Sequence, residues 1–280
     1  MKITVLIENT KGELENLINE HGLSLYIEKG NKRILFDTGK TDNFIINAQK
    51  LGINLKDIDA VVLSHGHTDH GGGLLSFLKI NDRAKVYMKR KVFGDYYSGN
   101  ILFKKSIGIN KEVFEKYSSR IEYVDNFTEI MEDIFIITDI QRNHKIPEGN
   151  KYLFVKEGNK IVNDKFEHEL IMVVKENKGI CVFSGCSHNG TVNMIEAVNK
   201  SFSGTNIKAL IGGFHLAKIP AMDIFSTSQD QIDLIINKII NEKIEKVYTG
   251  HCTGEKAYNK LKQGLGNKIE YIRTGSEIQI

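Results

Sequence analysis

An α/β fold in a single domain, residues 1–280, with two sheets and helices packed on them, is predicted by three features of the sequence. Apolar runs of strand length recur along the whole chain, several followed by apolar residues at helical spacing. Three of these runs, at residues 180–183, 207–211 and 246–248, each lead into a Gly-flanked histidine: His188, His215 and His251. A fourth run, residues 60–63, leads into SHGHTDHGGG, which packs His65, His67, Asp69 and His70 into six positions.

Residues 3–7, 23–27 and 33–36 read as strands, the last two joined through the turn Lys29-Gly30-Asn31-Lys32, so the chain opens as a small antiparallel sheet. The third strand ends in LFDTG, and Asp37 there is suited either to orient a ligand imidazole or to cap a turn. Phe44, Ile45, Ala48 and Leu51 recur at helical spacing, and Gly52 marks the stop. After the histidine cluster, Gly71, Gly72 and Gly73 permit a tight turn before a helix carrying Leu74, Leu75, Phe77 and Leu78. Strands are predicted at 85–88, 121–124 and 134–137, with a short helix at 112–117. Residues 93–109 hold Phe93, Tyr96, Tyr97, Ile101, Leu102 and Phe103 without clear period, either as a lid or as a loop packed by its own aromatics. Between 152 and 183, four strand-like runs separated by turn residues read as the second sheet. Residues 191–198 are helical, and Ser228 with Gln231 forms a capping box for a helix bearing Ile232, Ile235, Ile236 and Ile239.

Side chains at i and i+2 of an extended segment share a face, so His65 and His67 suit one metal ion, while Asp69 and His70 lie where the chain turns. Imidazole and carboxylate are the donors of zinc, manganese and iron sites, which commonly hold two ions roughly 3.5–4 Å apart. Strand ends are where such sites are assembled, which makes His188, His215 and His251 candidates to join the cluster.

Composition narrows the setting. The apolar and charged fractions, 41% and 26%, are those of a globular chain. The first ten residues carry an apolar run broken by Glu8, too short for a signal peptide or membrane span, so a cytoplasmic location is expected. Three cysteines argue against a disulfide framework. The net charge of +3 and scattered arginines give no nucleic-acid stripe, which leaves a small-molecule substrate as the expected partner.

The cluster resembles the H-x-H-x-D-H signature of the metallo-β-lactamase superfamily, which implies an αββα sandwich with the metals at one edge of its sheets. LIEN, HGLSLYIE, ILFDTG, LSHGHTDHGGGL, SGCSHNG, GGFHL and GHCTG together resemble a branch that includes the dihydropterin-ribofuranosylaminobenzene-phosphate synthases. By the superfamily's layout, His65, His67 and a third histidine hold one metal; Asp69, His70 and His251 hold the other. His188 is favoured as the third over His168, whose neighbours Glu167 and Glu169 read as a polar strand start without glycine. Cys186 stands where the bridging aspartate is expected, either as a ligand or as a small buried side chain. One or two Zn2+ ions are implied, with Mn2+, Fe2+ or Mg2+ as alternatives. The simplest activity is hydrolysis of a phosphate- or ester-bearing small molecule by metal-bound hydroxide. The alternatives are a synthase-like displacement of phosphate or diphosphate, with Asp69 or His215 as base, and a metal or ligand sensor that turns nothing over. Oxygen-reducing relatives usually carry Glu at the position of His67, and nuclease relatives need a large extra domain.

Overall fold

The computed structural model describes residues 1–100, 103–219, 224–225 and 227–280, which fall into two compact units. The first unit comprises Met1–Val124, Tyr152–His168 and Arg273–Ile280; the second comprises Asp125–Lys151 and Glu169–Ile272.

In the first unit, strands β1 (Lys2–Ile7), β2 (Ser24–Lys29), β3 (Lys32–Phe36), β4 (Ala60–Val62), β5 (Lys85–Met88), β8 (Ile121–Tyr123) and β20 (Glu277–Gln279) form one sheet. Its order is β20-β1-β2-β3-β4-β5-β8, antiparallel at the start and parallel from β3 onward. Helices α1 (Asn43–Lys50), α2 (Thr68–Gly71), α3 (Leu74–Ile80) and α4 (Glu112–Tyr117) occupy its crossovers. Phe44, Ala48, Leu74 and Phe77 from α1 and α3 are buried with Leu35, Val61 and Val86, as the helical spacing predicts.

The 93–109 stretch is a hairpin rather than an irregular loop. Strands β6 (Tyr96–Gly99) and β7 (Lys104–Ser106) pair with each other, and β6 pairs with β11 (Leu153–Glu157), which pairs with β12 (Lys160–Asn163). Ile101 and Leu102 lie outside the described residues. Thus β11 and β12 do not join the second sheet as expected from their pattern: hairpin periodicity specifies a strand's local partner, not the sheet that receives it.

The second unit's sheet runs β19 (Ile269–Tyr271), β18 (Lys246–Thr249), β15 (Ile207–Gly212), β14 (Gly179–Ser184), β13 (Ile171–Glu176), β10 (Ile134–Ile137) and β9 (Thr128–Met131). β14, β15, β18 and β19 are mutually parallel. Helices α5 (Thr191–Ser201), α6 (Gln229–Asn241) and α7 (Glu255–Leu265) bury Val192, Ile195, Ile232, Ile235 and Leu261 with Val182, Leu210 and Val247. A two-stranded ribbon, β16 (Ala217–Ile219) with β17 (Ile224–Phe225), precedes α6. The Ser228 hydroxyl accepts from the Gln231 N–H at 3.4 Å, capping α6. Among the described residues no helix is long and apolar enough to cross a membrane.

The parallel pairing has a direct consequence for function. Since Phe183, Ile211 and Tyr248 lie in register, the segments 184–190, 212–216 and 249–254 leave neighbouring strands at the same edge.

Candidate metal centre

In the first unit, β4 delivers the chain into the His65–His70 segment, and His65 and His67 each offer a ring nitrogen within 4.8 Å of the other. The His65 ring centroid lies 4.7 Å from that of His67 and 4.1 Å from that of His70. A side chain at Gly66 would put its Cβ 2.3 Å from the Val92 carbonyl oxygen, so the crowding of His65 and His67 onto one short loop depends on glycine between them.

One buried carboxylate orients two of these rings. Asp37 Oδ2 accepts from His70 Nδ1 at 2.7 Å and from the Ser64 hydroxyl at 2.7 Å, while Oδ1 accepts from the Ser64 N–H at 2.8 Å. With its proton committed to Asp37, Ser64 Oγ accepts from His65 Nδ1 at 2.8 Å. The chain of bonds places a proton on Nδ1 of both rings, which makes Nε2 the lone-pair nitrogen in each. Asp37 is fully buried and holds φ +59°, a conformation Asp and Asn tolerate better than other side chains. It therefore orients His70 and, through Ser64, His65, as well as ending a strand.

His168 has both ring nitrogens committed. Nδ1 accepts from the Gly66 N–H at 2.9 Å, and Nε2 donates to Asp164 Oδ2 at 2.9 Å. His67, Asp164 and His168 also bring donor atoms within 4.8 Å of one another, but a metal on either His168 nitrogen would have to break one of these two bonds. The same Asp164 oxygen lies 3.9 Å from His67 Nε2. Burial pushes the Asp164 carboxyl upward, but the donors on His168 and His67 outweigh it and hold the carboxyl below the usual carboxylate range. Asp164 lay outside the expected set because it reads as a turn residue; its functional placement comes from pairing that sequence spacing does not show. His21 was also missed: its Nε2 lies 3.3 Å from Asp69 Oδ2.

In the second unit, His188 Nδ1 donates to Asn150 Oδ1 at 3.0 Å, and Asn150 Nδ2 donates to the His188 carbonyl at 2.8 Å, which fixes the amide's orientation. Nε2 is again the lone-pair nitrogen. Glu169, expected at a polar strand start, is fully buried: Oε1 accepts from the His188 N–H, and Oε2 from the Asn189 N–H and Nδ2, at 2.7–2.8 Å. The antiparallel pairing of Ile171 with Ser184 explains it, because the start of β13 lies beside the end of β14. Cys186 and His251 offer donor atoms within 4.8 Å of each other, and Cys186, His215 and Cys252 do so as a trio. Ser187, His215 and His251 all hold positive φ, at +56°, +48° and +51°, a concentration of backbone strain on the three strand-end segments.

Residues 18–134 match the family model described as the metallo-beta-lactamase superfamily. A Methanocaldococcus jannaschii protein named 7,8-dihydropterin-6-methyl-4-(beta-D-ribofuranosyl)-aminobenzene-5'-phosphate synthase is 32% identical across 100% of this chain and 96% of its own. The chain belongs to the metallo-β-lactamase superfamily. Its fold is also that of a solved metal-dependent hydrolase of the beta-lactamase superfamily, with a TM-score of 0.85 and 32% identity over 100% of this chain and 99% of that one. Zn2+-bound PqqB from Methylobacterium extorquens, at 11% identity and a TM-score of 0.61 over 100% of both chains, shares the fold.

The donor set could hold the metal that the superfamily uses: histidines with one nitrogen anchored, an aspartate, and thiols. Burial, followed by the neighbouring rings of His70, His67 and His168, holds His65 well below the usual histidine range; burial likewise lowers His168 against the pull of Asp164. Both rings are neutral in the folded state and titrate near 6.5 when unfolded. Below that pH the unfolded chain takes up protons the folded chain refuses, so stability falls as pH falls. The unfolding free energy of the metal-free protein is expected to drop between pH 7.5 and 5.5, by up to about 1.4 kcal/mol per pH unit for each ring, and the urea midpoint with it. An unchanged midpoint would show that neither ring is held neutral.

Proposed function

We propose that the protein is a metal-dependent hydrolase acting on a phosphate- or ester-bearing small molecule, with His65, His67 and His188 as one set of ligands and Asp69, His70, His251 and Cys186 as a second. The reading rests on one observation: His65, His70 and His188 each have Nδ1 tied to a buried partner, the arrangement that prepares Nε2 for a metal. A bound Zn2+, or Mn2+, Fe2+ or Mg2+ in its place, polarises a carbonyl or phosphoryl oxygen and lowers the pKa of water from 15.7 to about 7.

The chain's own groups supply the rest. Asp69, with its side chain only partly buried and His21 beside it, is placed to take a proton as well as to bind. In the first unit a cleft of about 370 Å³ reaches Asp164 and His168 and is lined by both signs of charge, Arg90, Lys91, Lys156 and Lys165 with Glu157 and Glu167, Lys91 being paired with Glu167. The full-length similarity to a named synthase favours a second reading, displacement of phosphate or diphosphate by an external nucleophile.

Phosphomonoesters, phosphodiesters, thioesters, lactones and pterin diphosphates, with and without an aromatic amine, distinguish the readings. Hydrolysis of at least one class is expected, lost together with bound metal in His67→Ala. Turnover only when the amine is present would establish the transferase instead, and tight effector binding without turnover would establish a sensor.

A further inference from the structure

We infer that Cys186, His215 and Cys252 form a second, thiolate-rich site for a thiophilic divalent ion, built entirely within the second unit. The catalytic reading uses Cys186 but neither His215 nor Cys252, so Cys186 is common to both sites and the Cys252→Ser and His215→Ala variants test this one apart from that reading. The three donor atoms lie within 4.8 Å of one another and all three residues are buried. A tetrahedral ion with Zn–S bonds of about 2.3 Å sets its sulfurs roughly 3.8 Å apart, a difference that side-chain torsions can absorb.

The Cys252 thiol donates to the Cys186 carbonyl at 3.6 Å, a weak bond that loss of its proton to a metal would break. Its Sγ accepts the His215 backbone N–H at 3.2 Å, a bond that stabilises negative charge on sulfur. The space it occupies is kept open by Gly213, where a Cβ would stand 2.4 Å from that sulfur. Leu216 N donates to the Cys252 carbonyl at 3.0 Å, which locks the two strand-end segments in register. His215 is held at φ +48°, a strained backbone at the residue that would supply the imidazole. Two thiols and an imidazole select soft or borderline ions such as Zn2+, Cd2+ and Co2+ over Mg2+ or Ca2+. Binding releases the two thiol protons to solvent and leaves the oxidation state of sulfur unchanged.

Cobalt substitution provides the test, because thiolate-to-cobalt absorption in the near ultraviolet scales with the number of Co–S bonds. Metal-free full-length protein titrated with Co2+ is expected to show a band of two-bond intensity. That band should fall to half in Cys252→Ser and in Cys186→Ser, and the visible d–d bands should shift in His215→Ala. Thiol counting in denaturant on the same samples gives three free thiols if the cysteines stay reduced. A one-bond band insensitive to Cys252→Ser overturns the proposal and leaves Cys186 alone at a metal. A band and d–d spectrum unaltered in His215→Ala removes His215 from the site and returns it to a substrate role. Loss of two thiols from the metal-free count identifies Cys186 and Cys252 as a disulfide pair instead.

Discussion

Replacing Asp37 by asparagine is expected to leave the chain folded and to weaken metal binding by about 10- to 100-fold. Asparagine fits the volume and, like aspartate, tolerates the φ of +59° at this position. What changes is the hydrogen-bonding sense. The Oδ2 position receives two donors, His70 Nδ1–H and the Ser64 hydroxyl, while Oδ1 receives the Ser64 N–H. An amide can keep its oxygen toward only one side, so an NH2 group then meets a ring N–H or a backbone N–H in a site that excludes water. Relief comes if the His70 proton moves to Nε2, which removes the lone pair that a metal needs. Ser64 loses its fixed acceptor at the same time, and with it goes the anchoring of His65. Asp37→Ala has the same consequence and adds about 1–2 kcal/mol of instability from an alanine in the left-handed region. Isothermal titration with Zn2+ and the imidazole nitrogen shifts of the metal-free protein measure both effects. Affinity within twofold of wild type, with the His70 proton still on Nδ1, would remove Asp37 from the metal's support.

The strands that lead into the candidate ligands were legible because their apolar runs are strong: residues 60–63 and 180–183 are buried on both faces and 207–211 are buried apart from Lys208, and such runs stand out against any loop. Asp37 was legible as a candidate because it ends a strand. What escaped was anything decided by pairing between distant segments. Asp164 and Glu169 read as a turn residue and a polar strand start, yet one is bonded to His168 and the other carries the His188 segment. Cys252 follows His251 directly, and nothing in the spacing shows that its thiol lies beside His215. The 93–109 hairpin escaped for a different reason: Tyr97, Ser98 and Gly99 show no apolar run, and the partner that completes β6 lies more than fifty residues away.

Glu169→Ala is expected to produce the largest loss of stability among single substitutions in the second unit. The carboxylate is fully buried and satisfies three donors, the N–H groups of His188 and Asn189 and the Asn189 amide. Removing it strands all three away from water, and each unsatisfied buried donor costs about 1–3 kcal/mol. Partial relaxation keeps the sum below simple addition, so a loss of about 3–5 kcal/mol is expected. Glu169→Gln separates charge from shape, since one amide oxygen can still serve the His188 N–H while the NH2 group faces two donors on Asn189. It is expected to fall between wild type and alanine. Because Ser187 is held at φ +56° immediately before His188, release of the segment lets that strain relax and moves the His188 ring away from Asn150. Denaturant unfolding of the metal-free variants gives the stability change, and Zn2+ titration of the variant that remains folded gives the effect on His188. A loss under 1 kcal/mol in Glu169→Ala, with unchanged Zn2+ affinity, would mean that the segment holds its shape without the carboxylate.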